Sequence, residues 1–224
     1  ISTLNQLSIT NKKSEIKGIN KNSLELLIDQ SKLQREYLKN KKLDYQIIFN
    51  RKKNFSDPSK IIGFELLPKS DSNDLFFDIE GYPMYFDSSY NSSGLEYLFG
   101  VFYKSFDKYV FKKYIATNYL EEKKAFEELV DFFYSHLRKY KNSHIYHYNS
   151  YEETALKKLS QKYETKIAEV DFILRERKLI DLYKVVKDSV ILSTENYRLK
   201  TIEKFYKLDR EEDIASGQDS LVAF

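Results

Sequence analysis

Asp74-Leu75-Phe76-Phe77-Asp78-Ile79-Glu80-Gly81 is the stretch that decides the predicted fold. Its apolar residues predict a strand at residues 74–80. Side chains alternate between the two faces of a strand, so Asp78 and Glu80 should project to the same side, roughly 7 Å apart. Two such carboxylates repel each other and are costly to desolvate, and a divalent cation such as Mg²⁺ or Mn²⁺ removes both penalties. The alternative is that both acids lie in water at the end of a strand.

The composition restricts the class of protein. The chain is 42% hydrophobic and 16% aromatic, which is enough for a substantial core. It has no cysteine, which excludes disulfides, thiolate zinc sites and a cysteine nucleophile and fits a reducing cytoplasm. No apolar run approaches the roughly 18 residues of a membrane span, so we expect a cytoplasmic protein with no membrane partner. The net charge of +3 is compatible with binding to nucleic acid.

The segments after the first strand predict an α/β fold. Gly81, Pro83 and residues 87–94 predict a loop. Residues 96–103 and 109–116 are aromatic and prone to form strands, which completes a three-strand antiparallel meander with the first strand. Further along the chain, the patterns predict a helix at 120–140, a strand at 143–148, a helix from Tyr151, and helices at 161–176, 178–188 and 198–207.

This order of elements predicts where the next acid should lie. A strand that follows a helix is expected to run parallel to the first strand, so that the ends of both strands meet at one edge of the sheet. Asn149 and Ser150 follow the strand at 143–148 as possible helix caps, and Glu152 then lies in the first helical turn. The alternative is that Glu152 only complements the positive end of the helix dipole.

The N-terminal part has a different character. Residues 1–22 are polar and predict a loose segment, and Ser23 is a possible N-cap of an amphipathic helix that ends near residues 39–42. We place a domain boundary near residue 65, between an N-terminal helical connector at 1–64 and a main domain at 65–224. Because the chain begins at Ile1 and stops at Phe224 within a pattern, we expect a piece cut from a longer protein.

Two further acids follow the second helix of the main domain. Asp181 lies among apolar residues in Leu179-Ile180-Asp181-Leu182. Asp219 follows Ser216-Gly217-Gln218 and precedes an apolar run that predicts the start of another helix. An Asp in a loop before a helix is often only a cap. In this chain, Asp219 would be the fourth acid of the predicted cluster.

The ordered set of these motifs resembles the DEDD-type 3′–5′ exonucleases with the ribonuclease H fold. Within that group the chain is most similar to the YprB-like ribonuclease H-like domains, which are often fused to RecB-type nucleases and helicases. The resemblance covers about residues 65–224 and is carried by DLFFDIEG (74–81), YLFG (97–100), HYNSYE (147–152), DL (181–182), YRLKTIE (197–203) and SGQDS (216–220).

The resemblance implies a fold and a mechanism. The fold would be a ribonuclease H-like mixed sheet, with the antiparallel meander plus parallel strands, flanked by helices and preceded by the N-terminal helical extension. Two Mg²⁺ or Mn²⁺ ions would serve hydrolysis of a phosphodiester in DNA, in preference to RNA, during DNA repair. Asp78, Glu80, Glu152 and Asp219 would be the catalytic metal ligands, and Asp181 would support the site. The full-length protein would carry further nuclease or helicase domains.

The chain departs from the pattern of the resembled family at two places. Glu152 stands where the wider superfamily has Asp. Ala215 and Ile214 stand where a His or Tyr normally orients or deprotonates the attacking water, and neither can do so. His147 is a possible replacement base, and the alternative is a strand histidine whose hydrogen bonds are satisfied by the backbone.

Several residues are candidates for binding nucleic acid. Tyr82, Tyr85 and Tyr151 could stack on bases, and basic residues could hold phosphates. Asn149 and Tyr151 lie beside Glu152 and are taken as supporting residues. The alternative is that the tyrosines fill the core and the basic residues form solvated helix faces. The basic candidates are Arg138, Lys139, Lys141, Lys157 and Lys158.

Two other functions remain open. A non-catalytic nucleic-acid-binding module would keep the fold and leave cleavage to a fused nuclease; the missing His or Tyr favours it and the four acids disfavour it. An acid-lined phosphotransfer or phosphatase site is the third possibility, but no glycine-rich phosphate loop supports it.

Overall fold

The computed structural model describes residues 3–12, 14–48, 61–90 and 92–206. Within these residues the helices are α1 (Leu4–Ser8), α2 (Lys21–Asn40), α3 (Tyr119–Lys139), α4 (Tyr151–Tyr163), α5 (Ile167–Arg175), α6 (Leu182–Ser189) and α7 (Leu199–Glu203). The strands are β1 (Tyr45–Ile47), β2 (Leu75–Asp87), β3 (Ser92–Ser105), β4 (Lys108–Ile115), β5 (Ile145–His147), β6 (Leu179–Asp181) and β7 (Val190–Leu192). In the described part of the chain, no helix is long and apolar enough to cross a membrane.

A five-stranded mixed sheet forms the centre of the unit made by residues 67–182. Its strand order is β4-β3-β2-β5-β6. Strands β2, β3 and β4 form the predicted antiparallel meander, and β5 runs parallel to β2 with Leu75 opposite Ile145. Strand β6 runs parallel to β5 and places Asp181 opposite His147. The predicted α/β class and the parallel fourth strand are confirmed.

Helix α3 covers one face of this sheet. It begins after Asn118, whose side-chain oxygen accepts a hydrogen bond from the Glu121 backbone N–H at 3.0 Å. Its apolar stripe is fully buried and includes Phe133, whose ring packs edge-on against Phe77 of β2 at a centroid distance of 5.0 Å. Alternate residues of β2 therefore anchor that strand in the core, and this fixes which of its side chains face away from α3.

The other compact unit contains the described residues among 3–66 together with 183–206. Helix α2 begins after Asn20, whose side-chain oxygen accepts from the Ser23 backbone N–H at 2.8 Å, so Asn20 and not Ser23 is the N-cap. Strand β1 pairs antiparallel with β7. The division into domains at 1–64 and 65–224 stays a prediction, and residues 183–206 lie in the same compact unit as the N-terminal residues.

Three further local predictions were wrong. Residues 4–8 form helix α1 in a segment predicted to be loose. Strand β2 continues through Pro83 to Asp87, in a segment predicted to be a loop. Strand β5 pairs with β2 only at residues 75 and 76, so Pro83 lies in a part of β2 that makes no hydrogen bonds to β5. Proline is tolerated at such an edge position because it has no N–H to donate. The predicted helix at 178–188 is instead β6 followed by α6.

Candidate active site

Strand β2 presents two acids on the face directed away from the α3 core. Leu75, Phe77 and Ile79 are buried, whereas Asp78 between them is exposed. Because side chains alternate along a strand, Glu80 shares the face of Asp78. The two carboxylates therefore lie on the same side of the sheet, near the point where β5 ends.

The carboxyl group of Asp78 lies in an acidic environment. Desolvation is the largest cause that raises its pKa from 3.8 to about 6, followed by the charges of Glu152 and Glu80 and a hydrogen bond with the Glu152 side chain. The residue as a whole remains exposed, so protein atoms crowd the carboxyl group while another side of Asp78 faces water. A hydrogen bond between two carboxyl groups requires a proton, so without a cation this contact opposes full ionisation of the pair.

Glu152 is held in place by the start of α4 and by His147. It lies in the first turn of the helix and is only 3% exposed. The His147 Nδ1 atom lies 2.6 Å from the Asn149 carbonyl oxygen and 3.3 Å from Glu152 Oε2. Since a carbonyl oxygen can only accept, Nδ1 carries the proton and donates toward both oxygens. The histidine ring is buried, and its Nε2 has no hydrogen-bond partner among the described residues.

Asn149 forms the turn that leads from β5 to Glu152. Its φ of +89° lies in the left-handed region, which Asn adopts more readily than most residues. Its side-chain oxygen accepts from the Ser150 N–H at 2.8 Å, and its own N–H donates to Asp181 Oδ1 at 2.9 Å. Asp181 on the neighbouring strand β6 thus holds the turn at Asn149. This turn determines where α4 begins.

The predicted nucleic-acid-binding residues differ in how exposed their side chains are. Tyr82 is half-buried and packs against a cluster around Leu95, so only part of its ring is available. Lys157 is exposed and pairs with Glu153 at 2.5 Å. Lys158 is exposed on α4.

The fourth predicted ligand, Asp219, falls outside the described residues, as do Ile214 and Ala215. The structure therefore brings together Asp78, Glu80 and Glu152, with His147 beside Glu152. The catalytic and metal-binding roles of all these residues stay predictions.

Sequence reasoning did not select Glu96, which lies beside this cluster. The Tyr151 hydroxyl donates to both carboxylate oxygens of Glu96, at 2.9 and 2.8 Å. The charges of Glu152 and Glu80 help to raise the pKa of Tyr151, after burial and the contact with Glu96. The available signal was a single acid in an otherwise apolar strand, which does not reveal the side chain's partner.

Comparison with known proteins identifies the family. A family model described as RNase_H superfamily matches residues 75–224, more than half of the chain. The chain belongs to the RNase_H superfamily. No curated protein and no solved structure matches it. The mixed five-stranded sheet flanked by helices is the ribonuclease H-like fold expected of a member.

Membership of the RNase_H superfamily indicates a nuclease-type hydrolase that acts on nucleic acid, and nucleases of this superfamily generally use divalent metals. The carboxylate oxygens of Asp78, Glu80 and Glu152 are hard donors of the kind that such ions prefer. Burial is the largest cause of the raised pKa of Asp78, and the repulsion from Glu152 and Glu80 adds to it; a bound cation would offset both costs. Among the residues that the structure describes, however, no group of three His, Asp or Glu side chains is arranged to hold an ion. The donor chemistry fits a cation, and the described ligand set is incomplete.

Proposed function

We propose that this chain is a metal-dependent nuclease that hydrolyses phosphodiester bonds. The observation that carries the proposal is the contact of Asp78 with Glu152, with Glu80 nearby, because carboxylates from separate segments are brought together at an electrostatic cost. Carboxyl groups whose pKa is raised by burial and by a specific charged neighbour cluster at functional sites. The superfamily assignment supports the same class of reaction.

The finer proposal follows the resemblance to DEDD-type exonucleases. It assigns 3′–5′ polarity, DNA as the substrate, and a role in DNA repair within a larger protein that carries further nuclease or helicase domains. Asp78, Glu80, Glu152 and Asp219 would hold two Mg²⁺ or Mn²⁺ ions. When bound, such ions lower the pKa of a water molecule and stabilise the leaving oxygen.

The surrounding residues would orient the ligands. His147 is buried at both ring nitrogens and donates toward Glu152, so it has no path to an attacking water molecule. We assign it the role of holding the Glu152 carboxylate, in place of the role of general base. Asp181 and Asn149 would fix the turn before Glu152 through the hydrogen bond at 2.9 Å. Partners of this kind set the direction of a ligand without touching the ion.

Binding of the nucleic acid would use the exposed surface of α4. Lys158 is exposed. Burial raises the pKa of the Glu96 carboxyl, and the nearby charge of Lys158 opposes part of this effect. A phosphate contact from Lys158 would add affinity that is independent of sequence and weakens with salt. Lys157 would contribute less because Glu153 already pairs with it. The exposed part of Tyr82 would offer a surface for stacking.

The test is cleavage of a 5′-labelled single-stranded DNA with Mn²⁺. We expect the wild-type chain to shorten the strand from its 3′ end. Asp78→Asn and Glu152→Gln should lower the rate by more than the roughly 10–100-fold that the loss of a residue orienting a ligand costs. Glu128→Gln on α3 and Asp107→Asn in the turn after β3 are matched controls that should cleave at the wild-type rate. An RNA strand of the same sequence tests the preference for DNA. Equal cleavage by Asp78→Asn and wild type would refute the proposal.

The second candidate is a catalytically degenerate nucleic-acid-binding module. The observation that favours it is the lack of a three-ligand metal group within the described residues, together with Ile214 and Ala215 at the positions where a water-orienting residue is expected. This candidate predicts binding of the labelled strand, measured by fluorescence anisotropy, with no cleavage at any Mn²⁺ concentration. Turnover that depends on Asp78 would exclude it.

A further inference from the structure

A β-bulge at the end of the site brings Glu96 opposite Gly81. Along the pairing of β2 with β3, Glu80 lies opposite Leu98, but the next residue, Gly81, lies opposite Glu96. Tyr97 is therefore an additional residue in β3, and its side chain is buried. A bulge re-aims the side chains that follow it, and here it places Glu96 beside the acidic cluster.

The missing side chain of Gly81 leaves the space in which Glu96 meets Tyr151. A Cβ atom at Gly81 would fall onto Glu96 Oε2 and 2.6 Å from the Tyr151 hydroxyl oxygen. Gly81 does not have a positive φ, so its backbone would accept alanine. Both atoms that a methyl group would meet are the ends of flexible side chains. A methyl group at this position would therefore displace the Glu96–Tyr151 hydrogen bonds without breaking the strand.

The backbone of Glu96 is held by the buried side chain of Glu122. The Glu96 N–H donates to Glu122 Oε1 at 2.5 Å. Glu122 is 1% exposed, and its other oxygen accepts from Lys162 Nζ at 2.6 Å and from the Tyr163 hydroxyl. Because these partners lie on α4, the buried Glu122 on α3 connects β3 to the C-terminal part of that helix. The backbone from which the Glu96 side chain reaches Tyr151 is thus held in place.

The Tyr151 hydroxyl adds a second contact at the start of α4, besides the turn that Asp181 holds. Ser150 precedes the helix but makes no side-chain capping hydrogen bond. Tyr151 is the first residue of the helix, and its hydroxyl reaches across Gly81 to Glu96. Glu152 is the next residue, so the position of the first turn determines where its carboxylate lies relative to Asp78.

We propose that Glu96 is a positioning residue for Glu152, acting through Tyr151 across Gly81. Glu96 does not have to touch substrate or metal in this role. It holds the first turn of α4 at the end of β2 and thereby keeps the Glu152 carboxylate beside Asp78. The proposal rests on the metal-dependent site proposed above, so its test includes a measurement that needs no metal.

The first measurement is the affinity of the full chain for Mn²⁺, the probe ion, by isothermal titration. Tyr151→Phe and Glu96→Ala each remove the hydrogen bond, and we expect about a tenfold loss of affinity. Gly81→Ala should give a similar loss by displacing the same pair. Glu96→Gln should retain near wild-type affinity, because its amide oxygen still accepts from the tyrosine. Tyr109→Phe, at an exposed tyrosine of β4, is the matched control and should change nothing.

The second measurement is amide hydrogen exchange of residues 154–157 in the metal-free chain, because the N–H of Thr154 is the first in α4 that donates to a carbonyl one turn back. Faster exchange in Tyr151→Phe and Glu96→Ala, restored in Glu96→Gln, supports the proposal even if the chain binds no Mn²⁺. Unchanged exchange in both variants overturns it. If Glu152→Gln lowers Mn²⁺ affinity while Tyr151→Phe and Glu96→Ala leave it unchanged, the positioning role of Glu96 is refuted and the metal site remains. If the wild-type chain binds no Mn²⁺, the metal site fails and the exchange result alone decides the role of Glu96.

Discussion

Replacing Asp78 by asparagine should stabilise the metal-free protein. The folded-state pKa of Asp78 is raised from 3.8 to about 6, so ionisation of this carboxyl costs folding free energy at neutral pH. A shift of that size corresponds to about 3 kcal/mol at most. Because Asp78 is exposed, solvent screening reduces the expected value to about 1–1.5 kcal/mol. Asparagine keeps the size of the side chain, removes the charge, and can donate an N–H to Glu152.

The pH dependence gives the sign of this effect. A raised pKa means that the favourable contribution of Asp78 is fully present below about pH 4 and is lost as pH rises through about 6. Asp78→Asn should therefore unfold about 2–6 °C above wild type at pH 7.5 and at the same temperature as wild type near pH 4. Thermal unfolding with a chelator present measures both. Asp107→Asn, at a fully exposed acid, is the control and should show no gain at either pH. A destabilised Asp78→Asn at pH 7.5 would refute the argument.

Three further predictions concern the orienting histidine, the core and the basic surface. His147→Ala removes the donor to Glu152 and should lower the cleavage rate with Mn²⁺ by about 10–100-fold, measured on single-stranded DNA; an unchanged rate would exclude the orienting role. Phe133→Ala empties a fully buried site against Phe77 and should cost about 3–5 kcal/mol in chemical denaturation, whereas a cost below about 1 kcal/mol would contradict the packing. Lys158→Ala should weaken DNA binding and lower the salt dependence of the binding constant by about one ion; an unchanged slope would show that Lys158 makes no phosphate contact.

The part of the fold that could be predicted depends on long, periodic patterns. The meander of β2, β3 and β4 and the helix α3 have alternating or helical apolar spacing over eight or more residues. Placing Glu152 near Asp78 needed only the rule that a strand after a crossover helix runs parallel to the first. The contact of the two side chains is consistent with that reasoning.

The part that could not be predicted depends on short or distant pairings. Strand β6 has three residues, and such a short apolar run cannot be distinguished from the start of a helix by its periodicity. Strand β1 has its partner β7 far along the chain, so no local pattern revealed either strand. The bulge at Tyr97 decides where Glu96 points, and a bulge leaves no signal in the apolar pattern of β3.

The most direct test of the metal site at Asp78 and Glu152 is anomalous X-ray scattering from crystals soaked in Mn²⁺. We expect an anomalous peak from an ion that carboxylate oxygens of Asp78 and Glu152 coordinate, with the hydrogen bond between these two carboxyl groups broken. The metal site would be contradicted if crystals at saturating Mn²⁺ showed no peak at this position and Asp78 were still hydrogen-bonded to Glu152.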